Sequence, residues 1–481
     1  MMGLSTGRDE PAAFVRPDVI RVSVWLVLAL WLVRQLARLL VWIIRTPSAA
    51  ATITVTTAVL LGWHYVHPAL PLAVIGGLLA GLVVWRVRWP VTFEAQVRLR
   101  MRSWWRASFV YRRQWATAID TAGLLVERRR TDYIPPLLGV RSTRTVDRVR
   151  VRMLPGQRVE DYAQVADRLA QTFGTQDCRV RSIRKRRHLV ELWFLINDPL
   201  ETVVRPLDAA QDALTAGIPV ALAEDGTVFR LKLVGSHVLC VGATGAGKGS
   251  VLSAIIAGLV PFVLGGLVNV WAVDPKGGME LAPCRRFFTR FARGNSKAAG
   301  GYEASLAALL EDAVEVMRER QDRLFGVTRL HTPSTDEPLI VVMVDELAAL
   351  TAWVNDRAVK KRIESALGLL LSQGRAVGVV VVGAIQDPRK DVLPQRDLFP
   401  IRIGLRLNEA EHIDLTLGRA ARLRGAACDM IPDTLPGVGY VQVDGVVEPV
   451  RVRFAHHTDA DLAALGHSDR PALTLVEGGA A

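Results

Sequence analysis

Nine consecutive residues constrain the fold of this chain more than any other feature. Gly242, Ala243, Thr244, Gly245, Ala246, Gly247, Lys248, Gly249 and Ser250 follow a short apolar run at 238–241 and open an apolar helix at 251–260. Strand, glycine-rich loop and helix, in that order, form the setting of a P-loop. Its consecutive backbone N–H groups turn inward and cradle phosphate oxygens, with the positive end of the helix dipole behind them. Lys248 reaches the β- and γ-phosphates in such a loop. One position departs from the pattern. Gly249 stands where a Ser or Thr ordinarily ligates Mg2+, and Ser250 comes one residue, about 100° of helix, too late. Three ways of holding the ion remain open: through water, through Thr244, or through a shifted Ser250.

A second half-site supports the first. LIVVMV at 339–344 reads as a fully buried strand, and it ends in Asp345 and Glu346. An apolar strand that delivers two acids at its C-terminal edge is a Walker B arrangement. Asp345 is expected in the Mg2+ shell, and Glu346 is expected to activate the attacking water. Two further strands obey the same logic. One, at 267–273, runs into Asp274, Pro275, Lys276 and Gly277; another, at 377–383, delivers Gln386 to the sheet edge where ligands of open parallel sheets bind. Gln386 is placed to sense the γ-phosphate or orient water, with a surface amide as the plain alternative. Arg375 precedes that strand and Arg402 begins the next, at 401–407. Each is a candidate to act on a neighbouring subunit's nucleotide, and each is otherwise a salt-bridge arginine.

The rest of the chain needs composition. Its 481 residues are too many for one core and predict about three domains. Hydrophobic residues make up 50% and charged residues 22%, which excludes a disordered chain. A mean hydropathy of +0.23 points to a membrane portion. The net charge of +13 asks for a polyanionic partner, nucleic acid or an acidic membrane surface. The four cysteines, Cys178, Cys240, Cys284 and Cys428, have no metal-binding or paired spacing and are expected to be reduced.

Apolar character is concentrated in 1–90. Uncharged runs at 51–67 and 68–84 predict a transmembrane helical hairpin with spans at about 51–67 and 69–86. An earlier run at about 20–45 carries Arg34, Arg38 and Arg45 on one helical stripe, the pattern of an interfacial helix; a third span and a signal peptide are its alternatives. Arginines cluster on both flanks, before residue 22 and through 91–139, so both termini and everything after the hairpin are expected on the cytoplasmic side of the plasma membrane. In the basic segment 91–139, Trp104, Trp105, Tyr111 and Trp115 interleave with arginines as a belt lying on the bilayer, or alternatively as a nucleic-acid surface. From 140 to 205 the texture is that of a small α+β domain: a strand at 145–153, an amphipathic helix at 159–173, and strands at 179–183 and 189–196 around a basic hairpin tip. Residues 455–481 read as a disordered tail.

Several segments together carry a family resemblance: GATGAGKGSV at 242–251, VDPKGGMEL at 273–281, VVMVDELAAL at 341–350, GRAVGVVVVGAIQDP at 374–388 and FPIRIGLRLNEAEHID at 399–414. With Gly425, Asp429 and Met430 closing the motor, residues 206–454 resemble the FtsK/SpoIIIE family of DNA-pumping ATPases. The segment 152–174 is similar to the small domain that precedes the motor in such proteins. The resemblance implies an α/β, RecA-like P-loop NTPase motor, ATP and Mg2+ as cofactors, a homohexameric ring, and double-stranded DNA driven through its hole. Basic loops facing that hole make Arg389, Lys390 and Arg396 the candidate DNA contacts, against a solvated loop as the alternative.

Division-associated members carry a long Pro/Gln-rich linker and a terminal winged-helix reader, and neither is expected here. Sequence choice then falls to the small domain or to a DNA-binding partner. The layout is more similar to the conjugative plasmid-transfer translocases of mycelial bacteria. Three other readings stay open: a single-stranded-DNA coupling protein, a protein-secretion ATPase of the same superfamily, and a nucleotide-dependent membrane anchor without hydrolysis.

Overall fold

A computed structural model of the chain describes residues 70–128, 131–183, 186–208, 213–294, 301–465 and 474–475. The chain forms two compact units, Met1–Ala95 and Gln96–Ala481.

In the smaller unit, helix α1 (Leu70–Arg88) covers the second expected span. Among the described residues no helix is long and apolar enough to cross a membrane. Arg86 and Arg88 close α1. The expected interfacial helix at 20–45 and first span at 51–67 lie outside the described residues, so the structure does not carry the hairpin.

The larger unit is organised by the valine-rich runs. Seven parallel strands pair in the order β17 (Thr474–Leu475), β11 (Phe288–Arg293), β10 (Val268–Asp274), β12 (Leu339–Val344), β13 (Val379–Ile385), β9 (Val238–Val241) and β14 (Ile401–Gly404). Antiparallel strands β15 (Val438–Val443), β16 (Val450–Phe454), β7 (Ile218–Ala223) and β8 (Val228–Leu231) extend the sheet. Every residue of β9, β12 and β13 is buried. An alternating strand would leave one face wet, whereas these uninterrupted apolar strands demand cover on both faces. Helix α6 (Lys248–Leu264) covers one face, packing Val251, Ile255 and Leu259 with Val270, Val341 and Val382. Helices α7 (Gly301–Leu324) and α8 (Arg357–Gln373) cover the other, packing Leu310, Met317, Leu367 and Leu370 with Val342, Val344 and Val381. Asp356 caps α8, its carboxylate accepting from the N–H groups of Ala358 and Val359. The register sets Val344 beside Gly383 and Ile385 beside Val241, so the ends of β12, β13 and β9 lie level at one edge.

The small domain begins before residue 140. Its antiparallel sheet runs β3 (Leu137–Ser142), β4 (Val146–Arg152), β6 (Leu189–Leu195), β5 (Asp177–Ser182). Helix α3 (Arg112–Ala122) supplies the core above it. Tyr111 and Trp115, read from sequence as membrane-belt residues, are 0% and 6% exposed. Tyr111 packs 4.9 Å from Phe173 and donates its hydroxyl to Asp147 at 2.8 Å, and Arg106 pairs with the same carboxylate. The stripe of Trp115, Ala118, Ile119 and Ala122 is helical spacing against the sheet; only Trp104 and Trp105 stay exposed. The expected single helix at 159–173 is two short ones, Val159–Gln164 and Ala166–Thr172, broken at Val165. Of the basic hairpin tip, Arg184 and Lys185 lie outside the described residues.

Charged pairs fasten this domain to the motor. Glu224, 2% exposed, takes Arg179 at 3.0 Å and Arg181 at 2.8 Å, and Arg148 reaches Asp225 at 3.0 Å. Arg179 also donates to the Tyr440 hydroxyl at 3.0 Å. Removing one partner of a buried pair leaves an uncompensated charge, which costs about 3–5 kcal/mol. Glu224→Ala is therefore expected to uncouple the two domains. Thermal unfolding should split into two transitions and proteases should cut near 198–208, whereas a single unshifted transition would show the pair carries no such role.

Candidate nucleotide site

Strand β9 ends at Val241, and the loop that follows wraps the start of α6. Gly247 takes φ +97°, a left-handed conformation that a side chain resists. Its Cα lies against the turn before β15: an added Cβ would stand 2.3 Å from the Gly437 nitrogen. The Gly437 N–H donates to the Ala246 carbonyl at 2.9 Å, so a second segment of chain clamps the loop. Lys248 folds back and donates to the carbonyls of Gly242 at 2.8 Å and Ala243 at 3.3 Å. Burial lowers its pKa.

The level strand ends bring the predicted groups together. Asp345 and Glu346 follow β12 and are 2% and 0% exposed. Gln386, directly after β13, donates to Glu346 Oε2 at 3.2 Å and accepts from the Thr244 hydroxyl at 3.1 Å. This amide therefore joins the Walker B acid to the phosphate loop. Burial raises the pKa of both acids, and Lys276 opposes it. The Lys276 ammonium lies 3.1 Å from Asp345 Oδ2 and 3.5 Å from Glu346 Oε2. Burial would lower the pKa of Lys276, but the two carboxylates outweigh it and raise it. Sequence reasoning quoted Lys276 without giving it a role; the DPKGG signal at the end of β10 was there to be used.

Thr244, Gly245, Gly247, Lys248, Gly249, Ser250, Lys276, Asp345 and Gln386 line one cleft of about 400 Å3. Three acidic and imidazole contributions to that cleft went unread: Glu280, the pair His456 and His457, and Asp459. Glu280 sits beside the anomalous glycine, its Oε2 3.2 Å from where a Cβ at 249 would be. The departure at Gly249 thus leaves a space that a carboxylate adjoins. The histidines belong to the expected disordered tail. Residues 455–465 are instead folded, with helix α9 (Asp459–Ala464) packed against the segment Ala282–Phe287. No sequence periodicity announces them, because long-range contacts hold them.

The remaining candidates lie elsewhere. Arg375 and Arg402 share a separate cleft of about 310 Å3 with Asp397, Phe399 and Asp444. It lies at the N-terminal ends of β13 and β14, about 20 Å from the P-loop edge along β13 and about 10 Å along β14. Arg389 is ion-paired to Asp387 at 2.5 Å, and Lys390 lies 3.4 Å from Asp397; both are exposed. Arg396 is a correction. It is 9% exposed and donates to the Pro388 carbonyl at 2.5 Å, so its guanidinium braces the loop from inside and is not presented to a ligand.

The clamp on the loop makes a sharp prediction. Gly247→Ala places a methyl within 2.8 Å of both the nitrogen and Cα of Gly437, and backbone cannot rotate away as a side-chain tip can. Calorimetric titration should show nucleotide affinity reduced at least about 100-fold, since strain of about 3 kcal/mol is expected at such a site. Unchanged affinity would mean the loop tolerates a different geometry.

Comparisons with known proteins place the chain in a family. The model of the FtsK/SpoIIIE family matches residues 203–332, and that of the actinomycete conjugal transfer protein N-terminal domain matches residues 63–195. Transfer protein TraSA of Streptomyces ambofaciens is 30% identical over 353 residues, covering 70% of this chain and 83% of that protein. DNA translocase FtsK of Mycobacterium leprae is 25% identical over 354 residues, covering 67% of this chain and 39% of that protein. Among solved structures, the pCW3 conjugation coupling protein TcpA, in a monomer form with ATPγS, aligns at 17% identity and a TM-score of 0.46, covering 72% of this chain and 95% of that one. On the identity to the Streptomyces transfer protein over most of both chains, and on the two adjacent matches, the chain belongs to the FtsK/SpoIIIE family and carries the N-terminal domain of actinomycete conjugal transfer proteins.

Proposed function

We propose that this protein is an ATP-driven motor that moves double-stranded DNA during conjugal transfer, working as a hexameric ring held at the cytoplasmic face of the plasma membrane. The observation that carries the proposal is the meeting of Lys248, Asp345 and Gln386 in one cleft with the glycine loop, with Glu346 hydrogen-bonded to that glutamine at the same sheet edge. The relatives, a conjugal transfer protein and a DNA translocase, supply the choice of DNA and of conjugation. The net charge of +13 suits a polyanionic partner.

The donor set fits Mg2+. Asp345 Oδ2 is buried without an aligned hydrogen bond, Glu346 Oε1 has no partner, and the Lys276 ammonium is the group ion-paired to both acids among the described residues. Asp345 would hold the ion, with Ser250 and Glu280 on the adjoining wall standing in for the hydroxyl that Gly249 lacks. When bound, the ion neutralises charge on the β- and γ-phosphates. The protein's own groups do the rest. Lys248 leaves the Gly242 and Ala243 carbonyls for phosphate oxygens. Glu346, raised in pKa by burial, is a stronger base than an exposed carboxylate and takes a proton from the attacking water. Gln386 fixes that carboxylate against Thr244, so a change at the γ-phosphate reaches the loop through a chain of two hydrogen bonds.

The ring reading has its own support. Arg402 makes no ion pair among the described residues, and its Nε is buried without a hydrogen bond. Its backbone pairs with Leu239, about 10 Å of strand before Gly242, and its side chain lines a cleft separate from the P-loop, a placement that suits service to a neighbour's nucleotide. Head-to-tail interfaces of that kind close into rings. For the membrane portion, the basic and aromatic flank at 98–113, with Trp104 and Trp105 exposed, suits an anionic bilayer surface.

Two measurements test this. Full-length protein is expected to hydrolyse ATP faster with linear duplex than with single strands, with stimulation falling steeply as salt rises. Lys248→Ala should lose nucleotide binding. Glu346→Gln should keep binding and lose about 100-fold or more in turnover. Preference for single strands would overturn the duplex assignment, and ATP binding with no phosphate release in the unmutated protein would overturn the motor. In the second, Arg402→Ala and Glu346→Gln subunits are mixed. Each alone should be inactive, and activity should reappear on mixing because some neighbouring pairs then regain an intact acid and arginine. Failure to recover any activity, with mixed rings confirmed, would remove Arg402 from the trans role.

A further inference from the structure

We propose that residues 455–465 form the nucleobase end of the nucleotide cleft, with His457 hydrogen-bonded to the edge of the base and His456 lying over its face. The inference rests on the nucleotide reading of the cleft and goes beyond it, because nothing in the phosphate machinery requires these residues.

The cleft leads away from the phosphate loop along α6. Ser250 and Ser253 line its wall, and Ser253 lies about 7.5 Å beyond Lys248 at 1.5 Å per residue. His456, His457, Asp459 and Leu462 complete the lining. Its volume of about 400 Å3 is within the range of sites that enclose a small ligand.

This segment is built into place. Its Thr458 and Asp461 form a reciprocal cap, the Asp461 N–H donating to the Thr458 hydroxyl at 3.1 Å and the Thr458 N–H to the Asp461 carboxylate at 2.9 Å. At the far end Arg286 donates to the carbonyls of Leu462 at 3.1 Å, Ala463, and Leu465 at 2.6 Å. The His456 N–H donates to the Val204 carbonyl at 2.9 Å, and Leu462 is 4% exposed. The wall therefore stands without a ligand.

His457 is the second, independent observation. It is 8% exposed, lines the cleft, and its Nδ1 has no hydrogen-bond partner. Buried polar atoms are rarely left unpaired, and a ring in the wall of a cleft needs only to turn to offer such an atom to a group supplied from outside. The chemistry of that group follows from the charge state. Burial first, and then neighbouring His456, push the imidazole below its ordinary pKa, against the Ala455 carbonyl and Asp461. At neutral pH the ring is uncharged and carries one donor and one acceptor nitrogen. Such a ring matches the mixed donors and acceptors of a nucleobase edge, whereas a phosphate would call for a cation.

The test separates the two ends of the cleft. In the full-length protein, a fluorescent ATP analogue is displaced by ATP and by inorganic tripolyphosphate, which shares the phosphates and lacks the base. His457→Phe keeps ring volume and removes both nitrogens. It is expected to weaken ATP about 10-fold, the value of a lost hydrogen bond, and to leave tripolyphosphate unchanged. His456→Ala, an exposed side chain whose backbone bond to Val204 survives the change, is expected to do the same more weakly, and it decides the matter where His457→Phe fails to fold. Equal weakening of both ligands would overturn the proposal, since the segment would then act on the phosphate loop. No weakening of either would also overturn it while leaving the nucleotide site intact. If the unmutated protein binds neither ligand, the nucleotide reading itself fails.

Discussion

Two carboxylates held out of water at the end of one strand govern this structure. Asp345 and Glu346 are 2% and 0% exposed, walled by the valine strands on either side, and a buried charge is tolerated only when something answers it. Lys276 answers from the end of β10, Gln386 from β13. Each counter-group comes from a different strand, so the acids are satisfied only when β10, β12 and β13 are in register. The site is thus a check on the sheet, and the sheet is the frame of the site. In such an arrangement the free energy of the acids is highest without a cation, which is the condition under which a cation and a triphosphate bind with most to gain.

The same economy explains the glycines. Gly247 has no side chain because the backbone at Gly437 occupies that space. Gly249 has none where Glu280 comes close. The first is a steric requirement set by the turn before β15, and the second leaves a carboxylate oxygen of VDPKGGMEL beside the position where the common motif has a hydroxyl.

Much of the motor was legible because fully buried parallel strands have an unmistakable texture. Residues 238–241 and 339–344 are strands with the expected bounds, and 377–383 is displaced by two residues, to Val379–Ile385, because the turn at Gly374–Val377 takes the first two. The acids, the amide and the loop fell where strand ends must put them. What escaped reading depends on partners far away in sequence. Tyr111 and Trp115 sit among arginines and so resemble a surface belt; only the sheet at 137–195 gives them a reason to be buried. Arg396 resembles a loop cation, and only the Pro388 carbonyl turns it inward. His456 and His457 have no pattern of their own, and Arg286, 170 residues earlier, is what holds their segment. For the apolar run at 69–86, composition signals a span, and no helix among the described residues is long and apolar enough to cross a membrane.

The segment that closes the cleft is also the one that meets the connection to the small domain. His456 bonds Val204, and on the adjoining β16 Arg453 donates to the carbonyls of Leu200 and Glu201 at 2.9 Å while Arg451 pairs with Asp198 at 2.6 Å. Residues 198–204, which lead from the small domain into the motor, therefore lie against β16 and the cleft wall, and Arg179 of the small domain in turn touches Tyr440 on β15. A displacement of this wall cannot be confined to the cleft, because the backbone bond at Val204 and the two arginines would have to follow or break. Coupling between sites travels through contiguous contacts of this kind when they have two arrangements. The placement of the small domain, fastened by Glu224 on one side and by 198–204 on the other, makes it the part of the molecule best situated to follow the nucleotide.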